Sequence, residues 1–148
     1  MMKRATAFGL AAVAACAFTS AVAPVTHAGD ESKLFGPAYF ATSITKEGEA
    51  RELVEDTRLR VKFKRDEERD AVTWSAGCNY FGARIVLGDA HIDTRQIIGT
   101  QIGCRRALAR QDDWIAKFFR SDPGWTAEGR RLTLSTERVE IELRRKSK

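Results

Sequence analysis

Arg131-Leu132-Thr133-Leu134-Ser135 and Val139-Glu140-Ile141-Glu142-Leu143-Arg144 alternate polar and apolar residues almost without fault, separated by the polar Thr136-Glu137-Arg138. Neighbouring side chains of a β-strand point to opposite faces, so this period predicts two half-buried strands. Leu132, Leu134, Val139, Ile141 and Leu143 belong to the covered face. The short polar connection makes the pair an antiparallel hairpin.

The same pattern recurs upstream. Arg58 to Lys64 places Leu59, Val61 and Phe63 on one face and Arg58, Arg60, Lys62 and Lys64 on the other. After the charged turn Arg65 to Asp70, Val72, Trp74 and Ala76 repeat it, which predicts an antiparallel pair. Tyr39 to Thr45 reads as a first strand, rich in aromatic and β-branched residues and closed by Lys46-Glu47-Gly48-Glu49. Ala83 to Leu87 and Ala90 to Asp93 flank Gly88-Asp89, whose chemistry suits a two-residue hairpin turn. Gly77-Cys78-Asn79 interrupts the strand before them, and Thr94 to Cys104 shows no clear period.

One segment departs from strand spacing. From Ala107 to Arg120, Leu108, Ile115, Phe118 and Phe119 fall on one stripe at helical intervals, and Asp122-Pro123-Gly124 ends the run. Many strands and one helix predict a mainly β fold: a small antiparallel barrel or strongly curved sheet capped by that helix.

The N-terminus has a different character. Lys3 and Arg4 precede an uncharged run, Ala5 to Ala23, rich in Ala, Val and Phe. Residues 1 to 28 are therefore predicted to be a secretory signal peptide, cut after Thr26-His27-Ala28. Residues 29 to 37 form a polar leader, and 38 to 146 the single domain. A rival reading makes Val13-Ala14-Ala15-Cys16 a lipobox, with Cys16 acylated and the chain lipid-anchored. The apolar Ala17 and Phe18 that follow Cys16 favour a freely exported product in the periplasm, at the cell surface or secreted.

Removing residues 1 to 28 takes away Lys3 and Arg4 but no acid, lowering the formal charge of +5 by two. So small an excess argues against a nucleic-acid-binding domain. Cys78 and Cys104 are the cysteines left after cleavage. In an oxidising compartment they are expected to pair, the alternative being two separate buried thiols. A structural zinc site needs four ligands, and His91 is the sole other soft donor in the exported chain.

Gly77-Cys78-Asn79 after Ser75-Ala76, then Thr100-Gln101-Ile102-Gly103-Cys104, the helix Gln111-Asp112-Asp113-Trp114 with Phe118-Phe119, and Trp125 followed by Gly129-Arg130-Arg131-Leu132-Thr133-Leu134 form an ordered set. In these motifs the chain resembles the META domain family, which includes heat-shock-associated bacterial envelope proteins, as an exported, actinobacterial-type member. Gly77, Cys78, Asn79, Thr100, Gly103, Cys104 and Trp125 are the signature residues. Ile102 stands where the family usually has Met, and the family's Trp near Tyr39-Phe40 is absent. The resemblance implies a barrel-like fold, an envelope or secreted location, frequent lipidation and no established reaction. Likeness of some members to the pilot proteins of outer-membrane secretins implies binding of a peptide or acyl chain.

Catalytic chemistry is sparse. His91 offers a base for nucleophilic catalysis but sits in a short alternating run that predicts an exposed strand residue. Asp66-Glu67-Glu68-Asp70 and Asp112-Asp113 are carboxylate groups of the kind glycosidases use. The first lies among Arg65 and Arg69, and the second is expected on a solvent-facing helical turn. Three basic groups stand out: Arg58, Arg60, Lys62 and Lys64; Arg105, Arg106 and Arg110; and Arg144, Arg145, Lys146 and Lys148. If they merge, they would face anionic lipid headgroups or envelope polymers. The expectation is a monomeric, non-enzymatic envelope module without cofactor or metal. It would bind a protein, peptide or lipid partner or support envelope stress tolerance. The alternative is a small secreted enzyme or enzyme inhibitor using His91 or a carboxylate pair.

Overall fold

The computed structural model describes residues 31–146 other than Glu68. The signal-peptide reading, the Cys16 lipobox, the cleavage point and Lys148 lie outside the described residues. Within them a single antiparallel sheet curls into a half-barrel. Its strands are β1 (Ala38–Lys46), β2 (Glu49–Ala50), β3 (Arg60–Arg65), β4 (Asp70–Ser75), β5 (Tyr80–Leu87), β6 (Ile92–Gly99), β7 (Gly124–Glu128), β8 (Arg131–Ser135) and β9 (Val139–Arg145), with one α-helix, α1 (Arg106–Arg120). The order is β6-β5-β4-β3-β1-β9-β8-β7, with β2 added to β1.

The two outermost strands approach each other at one corner. His91 bridges Gly124, the Ile92 N–H donates to the Pro123 carbonyl, and the Trp125 N–H donates to that of Ala90. Trp125 seals the corner, its buried indole N–H donating to the Gly88 carbonyl at 3.1 Å.

Every residue expected on the covered faces of the terminal hairpin and of β3 and β4 is buried, except Val139, which is half-buried at the start of its strand. Trp74 stacks on Phe119 of the helix at 4.1 Å between ring centroids, and Phe81 stacks on Trp74 at 5.5 Å. Helix α1 lies over the end of the half-barrel where β4 runs into β5, with Gln111 bonded to Ala76 and Asp112 to Asn79. Among the described residues the concave side of the sheet is packed with these buried side chains.

Two strands depart from the alternation. Strand β6 occupies most of the segment that shows no period. Its partners shift from Gly82↔Ile98 to Arg84↔Arg95, a bulge at which Gln96 takes a left-handed φ of 52°. The extra residue puts Ile97 on the covered face and Ile98 on the outer one. A second shift, at Thr42 between Ala41 and Ser43, bends β1 against β9.

Candidate functional site

Two regions of the structure gather chemistry. The first is a polar knot between helix and sheet. Cys78 and Cys104, 26 positions apart in sequence, are joined in a disulfide with Cα atoms 6.2 Å apart. Such a bond fits an oxidising compartment. Asn79 is the hub beside it. Its Nδ2 donates to Cys104 Sγ and to Asp112 Oδ2, both at 3.1 Å, and its Oδ1 accepts from the Thr100 hydroxyl and the Ile102 N–H, both at 2.9 Å. The backbone N–H of Asn79 donates to Asp112 Oδ2 as well, at 2.9 Å.

Asp112 is therefore not a solvated carboxylate. It lies in the second turn of α1, 3 % exposed, whereas its neighbour Asp113 faces solvent. Its Oδ1 is buried and has no hydrogen-bond partner. Gln111 beside it is also buried. It accepts from the Val54 N–H at 2.7 Å, donates to Thr57 Oγ1 at 2.9 Å and donates to the Ala76 carbonyl. These contacts pin the 51–58 loop to the helix.

The helical stripe Leu108, Ile115, Phe118, Phe119 passes directly through positions 111 and 112. Both therefore belong to the covered face in spite of their polarity. That spacing is the sequence signal that identifies them.

The signature residues divide between this knot and the barrel corner. Gly77 has φ +133°, and a Cβ there would stand 2.7 Å from Thr57 Cγ2 and 3.2 Å from Leu108. Only glycine fits. Gly103 is different: its surroundings are open, so the approach of the two cysteines does not depend on a missing side chain there. Trp125 belongs to the corner.

The second region is the outer face of the sheet. Register aligns Thr73, Gly82 and Ile98 in one row, and Ser75 with Tyr80 and Arg60 in the next. Gly82 leaves a gap in this surface. Around it Arg60, Lys64, Thr73, Ser75, Tyr80, Ile98 and Thr100 line an open groove of about 490 Å³. Tyr80 is 63 % and Ile98 73 % exposed, the two most exposed large apolar side chains among the described residues.

Charge is sorted across this face. Strands β3, β5 and β6 present Arg60, Lys62, Lys64, Arg84 and Arg95, whereas β7 and β9 present Glu128, Glu140 and Glu142. Arg131 and Arg144 stand between the two halves. Asp93 is engaged by Arg95, which holds its carboxyl below the usual carboxylate range.

Two of the three basic groups meet. Phe40 pairs with Arg60 and Arg144 in register, and Arg58 and Lys146 both stack over its ring at 5.1 Å. Arg105, Arg106 and Arg110 stand on α1 and its N-cap, away from the strand face.

His91 is exposed at the corner, its ring against Gly88. Asp70 is bound by Arg65, and Asp66 accepts from the Glu67 N–H. Asp112 is held at the knot by Asn79, and Asp113 faces solvent.

The META domain pattern matches residues 32–148, nearly all of the chain outside the N-terminal segment. The chain belongs to the META domain family. It is similar to the NMR structure of a protein from Burkholderia xenovorans, with a TM-score of 0.67 and 13% identity over 92% of this chain and 100% of that one. A second NMR structure matches with a TM-score of 0.57 and 16% identity, over 76% of this chain and 92% of the other. At such identities the likeness is one of fold. No curated protein matches the chain. Among the described residues of this META domain, no helix is long and apolar enough to cross a membrane.

Proposed function

We propose that this META domain protein is a non-enzymatic module of the bacterial envelope whose β3–β6 outer face binds an acidic membrane surface. The groove around Gly82 carries the reading. It sets two exposed apolar side chains, Tyr80 and Ile98, beside Arg60 and Lys64, on the half of the sheet that also presents Lys62, Arg84 and Arg95. Isolated exposed apolar residues are ordinary, but an apolar pair rimmed by cations matches a headgroup layer above acyl chains. The acidic half formed by β7 and β9 would orient the domain by repulsion.

Co-sedimentation with vesicles tests this. Binding to phosphatidylglycerol vesicles should exceed that to phosphatidylcholine and weaken with salt, because charges are screened over about 10 Å at 0.1 M. Each basic residue near such a surface contributes about 1 kcal/mol. Lys64→Glu should therefore cut binding at least fivefold, and Ile98→Ser should weaken it without changing the salt slope. Equal binding to both vesicle types would defeat the proposal.

A further inference from the structure

The disulfide stands beside the buried carboxylate of Asp112, whose Oδ1 has no hydrogen-bond partner. An orphaned buried acceptor costs about 1–3 kcal/mol, more when it is charged, so Asp112 Oδ1 calls for a partner. Cys78 Sγ, Cys104 Sγ and an Asp112 oxygen lie within 4.8 Å of one another. Two thiolates and a carboxylate are a donor set for a borderline-soft divalent cation of the zinc class. The sequence offers no such third ligand near the cysteines, because Asp112 is eight positions from Cys104 and reads as a surface acid. Folding supplies it.

We propose that the Cys78–Cys104 pair, once reduced, binds a zinc-class divalent cation with Asp112 as third ligand. The disulfide is then the closed state of a redox-gated metal site. Opening it requires a thiol reductant: two thiols lose one electron each and join in a disulfide, while Cys78 and Cys104 gain two electrons and two protons. Metal binding then releases the two protons and leaves both sulfurs as thiolates. Both cysteines are half-exposed, so a reductant and a cation reach them, and water supplies a fourth donor.

The surrounding hydrogen bonds favour the arrangement. Asn79 Nδ2 already donates to Cys104 Sγ and to Asp112 Oδ2, holding one oxygen and leaving Oδ1 free. The Asn79 carboxamide oxygen is taken by Thr100 and Ile102 and is not a ligand. Groups that orient metal ligands in this way are commonly worth 10–100-fold in affinity.

The test is cobalt(II) and zinc(II) binding by the exported chain starting at Gly29, with and without prior reduction. The reduced protein should take up one cobalt per chain, with thiolate-to-cobalt charge-transfer absorption and tetrahedral ligand-field bands, and zinc should displace it. The oxidised protein should bind none. Asp112→Asn should weaken zinc at least tenfold, and Asn79→Ala by 10–100-fold.

Circular dichroism runs alongside, because reduction alone removes stability. If the reduced chain unfolds, added zinc should restore the native spectrum in the unaltered protein but not in Asp112→Asn. An unfolded chain that holds metal through its cysteines alone would bind equally well without Asp112. Unchanged affinity in that variant, binding by the oxidised form, or a folded dithiol that takes up no metal would each overturn the proposal.

Discussion

Replacing Gln111 with Leu removes the clamp between α1 and the 51–58 loop while leaving helix propensity nearly unchanged, since Gln and Leu rank closely as helix formers. The side chain satisfies two backbone groups, the Val54 N–H and the carbonyl of the fully covered Ala76. An orphaned buried group costs roughly 1–3 kcal/mol, and the added apolar burial of Leu offsets part of two such losses. Gln111→Leu should therefore lose about 3 kcal/mol. That corresponds to roughly 10 °C in Tm for a domain of this size. Urea unfolding should show a lower midpoint at an unchanged slope, because the surface exposed on unfolding stays the same. Hydrogen exchange at the Val54 amide should rise to that of a loop. A loss below about 1 kcal/mol, or a Val54 amide as protected as before, would refute the assignment of Gln111 as the clamp.

Three further outcomes follow. Cys78→Ser should cost about 3.5 kcal/mol on the chain-entropy relation for a loop of 26 residues, read as a lower chemical-denaturation midpoint. Tyr39→Phe removes a hydroxyl that donates to the Lys33 carbonyl at 2.6 Å and should cost about 1 kcal/mol at neutral pH. Burial raises the Tyr39 pKa above 10.0, more than the nearby Arg145 lowers it. The unfolded chain therefore sheds this proton first, so its contribution is complete below pH 10.0 and is lost as pH rises further. Denaturation midpoints of Tyr39→Phe and the unaltered protein should accordingly converge above pH 10.0. Intact-mass analysis of the exported protein should show Gly29 at the N-terminus, and a diacylated Cys16 would instead make it a lipoprotein.

The strands legible in the sequence are those with one dry and one wet face. Strand β9 shows this well: Ile141 and Leu143 are buried and Glu140 and Arg144 exposed, so the period survives to the last turn of the pattern. Strand β6 was illegible for a local reason. The bulge at Gln96 adds one residue, which shifts the faces so that Ile97 is covered and the equally apolar Ile98 is exposed, and the alternation is lost. The knot was half legible. Cys78 and Cys104 announced themselves by type, whereas Gln111 and Asp112 were obscured by polarity although their spacing lies on the covered stripe. Their burial depends on partners far along the chain, Asn79, Ala76 and Val54, which periodicity cannot register. The groove over Gly82 arises only from the register of four strands, and no single segment encodes it.

The face through which the domain meets a membrane is tested most directly by NMR with acidic vesicles carrying a spin label at the headgroup. The account predicts signal broadening concentrated at Tyr80, Gly82 and Ile98 and along the outer face of β3, with Glu140 and Glu142 unaffected. Broadening centred on β7 and β9, or none at low salt, would contradict it.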